Sequence, residues 1–160
     1  MSYRIGLGTD FHQLVVGRKL RLGGIEIPHS KGALGHSDAD VLLHAICDAL
    51  LGALSLGDIG THFPDSDKSL KDIDSKILLS KTFQLVRQKG FQVVNLDTVV
   101  CLEKPKIMNY GTEMRLVISD ILEISIDDIS IKATTTEKLG FIGNEEGIMA
   151  QAIVLLRKED

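Results

Sequence analysis

The chain contains no tryptophan, two tyrosines and five phenylalanines in 160 residues, so it has few rings on which to stack nucleobases. It has no basic excess either: 18 Lys and Arg stand against 22 Asp and Glu, for a formal net charge of −4. A nucleic-acid interface calls for a basic stripe and stacking aromatics, and this composition offers neither. No apolar run reaches the roughly 18–20 residues that a membrane-spanning helix requires. The opening MSYRIGLGTDFH lacks the basic segment and apolar core of a signal peptide. Cys47 and Cys101 are too few for a disulfide framework and both lie in apolar runs. They read as reduced core thiols of an intracellular protein.

What remains is the balance of an ordered globular protein, with 44% of residues hydrophobic and 25% charged. With no internal repeat and no linker, residues 1–160 form a single domain able to bury a full core. Tyr3 to Gly8 alternates as a short strand. Lys19 to Leu22 and Ile25 to Ile27 flank Gly23-Gly24, a hairpin signal because a two-residue turn needs positive φ. His29 to Gly35 reads as a loop. A helix follows from about Asp38 to Ala53, with Ser37 and Asp40 as a capping pair. A second runs from about Asp72 to Lys89, closed by Gly90, and a third from about Asn109 to Leu122. Phe91 to Leu102, Asp127 to Ala133 and Ile148 to Arg157 read as strands. Gly52 to Asp67 is a loop, long for a plain connection. This mixed order predicts an α+β two-layer domain.

The first helix poses a physical problem. Val41, Leu42, Leu43, Ala45, Ile46, Ala49, Leu50 and Leu51 make it apolar nearly all round, which belongs in an interior. Yet Asp40, His44 and Asp48 recur every four residues and stack along one face. Buried carboxylates and imidazoles need partners or a metal. If the first strand persists, Asp10 and His12 share a face. One Asp and two His form a three-ligand set for a catalytic zinc with its fourth position open. Asp48, one turn beyond His44, is a candidate to orient the imidazole, or a helix residue reaching water. His36 and Ser37 stand at the helix N-terminus, where free N–H groups favour an anion; Ser37 equally reads as a simple cap. Thr134-Thr135-Thr136-Glu137 follows a strand. Its hydroxyls suit phosphate oxygens and its carboxylate a hard cation such as Mg²⁺, or the segment is a β-branched strand end with a surface Glu.

The runs Arg4-Ile5-Gly6-x-Gly8-x-Asp10-x-His12, Ser37-Asp38-Ala39-Asp40-Val41 with His44-Ala45 and Asp48-Ala49-Leu50, and Lys132 to Phe141 occur in that order along the whole chain. Together they resemble the signature of the 2-C-methyl-D-erythritol 2,4-cyclodiphosphate synthase family. The resemblance implies one α+β domain with helices on one side of a four-stranded mixed sheet plus a small hairpin. It also implies a homotrimer with active sites between subunits. The implied reaction is a lyase-type cyclisation in the non-mevalonate route to isoprenoids. The 2-phosphate of 4-diphosphocytidyl-2-C-methyl-D-erythritol 2-phosphate attacks its own β-phosphate and CMP leaves.

Carried over by resemblance, Asp10, His12 and His44 would bind zinc, and Glu137 would help hold Mg²⁺ or Mn²⁺ between the substrate phosphates. His36, Thr135 and Glu137 would act at the reacting phosphates. Ser37, Asp58, Ile59 and Gly60 would contact the erythritol phosphate and sugar portions, and Phe63, Pro64, Asp65, Ser66 and Asp67 would line the methylerythritol pocket. Leu102, Pro105, Lys106, Ile107 and Met108 would receive cytosine. Thr134 and Thr136 with Thr135 would hold phosphates, and Phe141 would stand close to the substrate. Such a protein would be cytoplasmic in a bacterium or stromal in a plastid. One residue departs from the family pattern. Asn144 stands where the family commonly has an Arg associated with binding a diphosphate in the trimer's central cavity, so turnover is expected intact and any such cavity ligand weakly held. The same Asp-His-His set also suits a zinc-dependent phosphohydrolase, with Asp58, Asp65 or Asp67 as base, or a trimeric module binding phosphorylated metabolites around a structural metal.

Overall fold

The computed structural model describes residues 2–159. Its backbone is a mixed five-stranded sheet in the order β4-β1-β7-β5-β6. The strands are β1 (Tyr3–Val16), β4 (Lys31–Leu34), β5 (Phe91–Cys101), β6 (Ile129–Thr134) and β7 (Gly147–Lys158). A separate hairpin joins β2 (Leu20–Leu22) to β3 (Ile25–Ile27) through Gly23 and Gly24, both at positive φ, as expected. β5 and β6 are parallel, and the remaining pairs are antiparallel. The helices are α1 (Val41–Ala53), α2 (Ile59–His62), α3 (Ser75–Gln88), α4 (Gly111–Leu122) and α5 (Gly140–Gly143). None of them, among the described residues, is long and apolar enough to cross a membrane.

Five strands replace the expected four. The added one is β4, which occupies the stretch read as a loop. It exists because β1 continues to Val16 instead of stopping near Gly8, and its far end, Gln13 to Val16, pairs with Leu34 to Lys31. Along β1, Gly6, Gly8 and Leu14 face inward and are buried, whereas Ile5, Leu7 and Phe11 on the other face are 73%, 61% and 54% exposed. β7 alternates likewise, burying Ile148, Ala150, Ala152, Val154 and Leu156.

α1 lies in the core with Leu42, Leu43, Ile46 and Leu50 fully buried, each contributing about 1.5–3 kcal/mol by leaving water. It starts at Val41, later than the expected Asp38, because Ala39 takes a left-handed φ of 58° that no helix can continue through. Asp40 is therefore the cap. One of its oxygens accepts from Leu43 N at 3.0 Å and Gly23 N at 2.9 Å, the other from Gly24 N at 2.7 Å. Burial pushes its carboxyl up and these N–H groups pull it back. Asp40 thus ties the β2–β3 hairpin to the head of α1. α3 likewise starts later than expected, capped by Asp74.

The approach of α1 to β1 is set by missing side chains. A Cβ at Gly8 would lie 1.9 Å from Ala45 O, and one at Gly6 would lie 1.9 Å from Ala49 O. Small residues meet on both sides, so helix and strand close to backbone distance. Gly8→Ala should therefore destabilise the fold by at least ~2 kcal/mol through overpacking, as read by urea denaturation. Gly52→Ala, in the same helix but with only Leu7 O at 3.8 Å from the added Cβ, should be neutral or stabilising by up to ~1 kcal/mol. Equal effects would contradict this packing argument.

Candidate active site

The close seating of α1 brings His44 onto the inward face of β1, where strand alternation has already aligned Asp10 and His12. Asp10 Oδ2 lies 3.0 Å from His12 Nε2 and 3.1 Å from His44 Nδ1. The two ring nitrogens are 3.2 Å apart. A tetrahedral zinc with ligands at about 2.0–2.1 Å has ligand-to-ligand edges of about 3.3 Å, so this triangle is close to the size a metal needs. The donor set fits as well, and the three residues form a group that could hold a metal ion.

Both imidazoles are fixed in the form a metal requires. His12 Nδ1 lies 3.0 Å from Leu34 O, which can only accept, so Nδ1 carries the hydrogen and Nε2 offers its lone pair. His44 Nε2 lies 2.8 Å from Ser75 Oγ. Ser75 has one hydroxyl hydrogen and gives it to Asp38 Oδ1, while Ser75 N donates to Asp38 Oδ2 at 3.1 Å. Ser75 Oγ must therefore accept from His44 Nε2–H, which leaves His44 Nδ1 free toward the centre. Ser37 Oγ, 3.2 Å from the same nitrogen, adds a weaker partner. A proton competes with a metal for the same place: burial works against the charge on Asp10, but where protons face it, hydrogen bonds and attraction from His12 and His44 outweigh that and hold its carboxyl well below the usual range. Burial likewise opposes charge on His12, and the Asp10 carboxylate overrides it and raises the imidazole.

Asp48 does not orient His44. Its Oδ1 accepts from Ile59 N at 2.7 Å, so the side chain anchors the start of α2. It lies a helical turn, about 5.4 Å, beyond His44, and the amide there claims it. Burial pushes its carboxyl up, with the Ile59 N–H opposing. The orienting group is Ser75, backed by Asp38. Ser75 reads in the sequence as an ordinary helix-start residue, and its pairing with Asp38 across 37 positions leaves no local signal.

The triangle opens into a cavity of about 590 Å³ walled by His36, Ser37, Ile59, Gly60 and the Phe63 to Ser66 loop. The segment before α1 is pinned to the one before α3 by Asp72 N to His36 O at 2.8 Å and Asp38 N to Ile73 O at 3.1 Å. Asp58 caps α2 and Asp67 caps the turn at Lys68–Leu70. Asp67 O lies 3.3 Å from His36 Nε2. A second cavity, of about 330 Å³, is walled by Leu102, Pro105, Lys106, Ile107, Met108, Thr134 and Thr135. Glu137 lies past the end of β6, exposed, with its Oε1 accepting from Thr135 Oγ1 at 3.2 Å. Thr136 is turned to Glu103 and Leu139 O. Phe141 packs near Phe11, ring centroids 6.2 Å apart. Within one chain most of the expected site residues are thus divided between two cavities, whose walls leave out Asp58, Asp67, Thr136, Glu137 and Phe141.

The sequence profile of the YgbB family matches residues 3–157. The chain is similar to the 2-C-methyl-D-erythritol 2,4-cyclodiphosphate synthase of Phocaeicola vulgatus, at 57% identity over 160 residues covering 100% of both chains. It is similar to that of Bacillus cereus (strain AH187), at 57% identity covering 98% of this chain and 99% of that one. Among solved structures it superposes on the Plasmodium falciparum IspF–CDP complex with a TM-score of 0.88 at 37% identity, over 99% of this chain and 98% of that one. It superposes on the bifunctional IspDF of Campylobacter jejuni with a TM-score of 0.95 at 40% identity over 99% of this chain, and it spans 43% of that longer protein.

The hydroxyl link to His44 carries a testable consequence. Ser75→Ala should lower zinc affinity about 10–100-fold, as for other groups that orient a ligating imidazole, in competition with a chromophoric chelator. Asp48→Asn, which can still accept from Ile59 N, should leave the affinity unchanged. The reverse ranking would return the orienting role to Asp48.

Proposed function

This chain belongs to the YgbB family, and on that premise we propose that it converts 4-diphosphocytidyl-2-C-methyl-D-erythritol 2-phosphate into 2-C-methyl-D-erythritol 2,4-cyclodiphosphate and CMP. The relatives reported above carry the name of that synthase. The observation that carries the reading is the convergence of Asp10, His12 and His44 at the wall of a cavity large enough for a small phosphorylated sugar. An oxygen of the 2-phosphate forms a bond to the β-phosphorus. The bond from that phosphorus to the oxygen bridging it to the α-phosphate breaks, and CMP departs with the electron pair. The nucleophile is anionic and tethered in the substrate, so the protein's task is positioning and charge stabilisation.

Zn²⁺ held by Asp10, His12 and His44, and Mg²⁺ or Mn²⁺ held with the help of Glu137, supply positive charge to phosphate oxygens that a net-acidic chain does not provide itself. His36 and Ser37 orient the erythritol phosphate, and the Phe63 to Ser66 wall keeps water from the methylerythritol end. Leu102 to Met108 receive cytosine, and Thr134 and Thr135 hold the phosphates beside it. In this reading the two cavities complete each other across subunits of a homotrimer. Two features support the assembly. The triad and Glu137 lie apart in one chain, and the outer sheet face bearing Ile5, Leu7, Phe11 and Ile153 is apolar and exposed.

Phosphorus NMR of the protein incubated with the cytidylated substrate and Mg²⁺ should show CMP and a cyclic diphosphate. Release of orthophosphate instead would identify a phosphohydrolase and overturn the proposal. His44→Ala should lose bound metal and turnover together; normal turnover without metal would refute the assignment. For the shared site, His44→Ala and Glu137→Ala proteins should each be inactive, and co-expression should restore about one quarter of wild-type activity. That fraction follows from random assortment in a symmetric ring. No recovery would place both groups in one subunit's site.

A further inference from the structure

The turn that carries Glu137 is held by a carboxylate that none of the roles above uses. Glu103 lies just past β5, and a single oxygen, Oε1, accepts from Thr136 N at 3.0 Å and Lys138 N at 3.2 Å, while the Thr136 hydroxyl gives its one hydrogen to Leu139 O at 2.7 Å. Between those amides stands Glu137 at φ 53°, followed by Lys138 at φ 65°. Two successive non-glycine residues in the left-handed region persist only where the surroundings over-determine them. Here the amides around them turn inward into a concavity that takes an anion, and the anion is the Glu103 side chain.

The residues flanking Glu103 give this contact a second end. Lys104 pairs with Glu145 at 2.9 Å. Glu103 itself walls the second cavity, together with Pro105, Lys106, Thr134 and Thr135. Glu103 therefore joins the loop proposed to receive the base to the turn proposed to hold the diphosphate and its cation. A backbone bond from Leu102 N to Thr134 O at 3.0 Å ties the base of the turn to that loop, but beyond Thr134 the turn's own bonds, Glu137 N to Thr135 Oγ1 at 3.3 Å and Leu139 N to Thr136 O at 3.0 Å, are local, and Glu103 is what holds the tip.

We propose that Glu103 is a positioning residue that locks the Thr134 to Lys138 turn against the Leu102 to Met108 loop, so that Glu137 meets a divalent cation on the phosphates of a nucleotide bound in the second cavity. The inference rests on the reading of that turn given under the proposed function. A staple that mattered only for folding would change stability and leave nucleotide binding alone. A positioning group changes the part of nucleotide binding that depends on the cation.

CDP titrated by calorimetry into zinc-loaded protein, with and without Mn²⁺, separates the two. Wild type should bind CDP more tightly with Mn²⁺. Glu103→Gln, whose amide oxygen can accept from the same two N–H groups, should keep that gain. Glu103→Ala should lose about tenfold of it, the lower range for groups that orient a metal ligand, with zinc content unchanged and the Mn²⁺-free CDP affinity altered by less than that factor. Glu103→Asp, too short to reach both amides, should fall between them and serves as the readout if the alanine variant does not fold. A full Mn²⁺ gain in Glu103→Ala or Glu103→Asp, with only thermal stability lowered, would overturn the inference alone. A wild-type protein with no Mn²⁺ gain would overturn the reading of Glu137 itself, before any variant is compared.

Discussion

The seating of α1 on β1 at backbone distance is the constraint on which the rest depends. Gly6 and Gly8 leave no Cβ between the strand and the carbonyls of Ala49 and Ala45. That approach puts His44 within 3.1 Å of Asp10. A wider gap would move the imidazole away from Asp10 and His12 and leave buried polar groups without partners, a costly state in an apolar interior. Packing and chemistry are here the same fact: small residues on both elements close the core and close the metal triangle.

The interior polar groups around that contact divide the remaining work. Asp40 joins hairpin, loop and helix start through backbone amides alone. Asp38 and Ser75 settle which nitrogen of His44 faces the centre. Asp48 anchors α2, which walls the cavity. Cys47, buried in the same helix, has its thiol pushed up to about 12 by burial, which keeps it protonated. A chain of net charge −4 concentrates carboxylates where a cation, and through it a phosphate, can be held.

Much of this was legible in the sequence because it is local. The hairpin follows from Gly23-Gly24, the strands β5 and β7 from their apolar runs, and the Asp10–His12–His44 set from strand alternation and an over-apolar helix. What escaped is set by distant partners. β4 has only Lys31 to Leu34 and becomes a strand because β1 is long enough to pair with it. The late start of α1 depends on Ala39 adopting a left-handed φ, which an alanine does not announce. Helical spacing makes Asp48 a candidate to orient His44, or a helix residue reaching water, whereas in the structure Ser75 holds the imidazole, itself held by a carboxylate 37 residues away. The short helices α2 and α5 carry too few residues for a periodic pattern.

Helix and strand close on one another to build a two-histidine, one-carboxylate group fit for a metal. X-ray absorption at the zinc edge of zinc-loaded protein tests it most directly. The account predicts two imidazole nitrogens, one carboxylate oxygen and one further light ligand at about 2.0–2.2 Å. A sulfur shell near about 2.3 Å, or a spectrum without imidazole scattering, would contradict it.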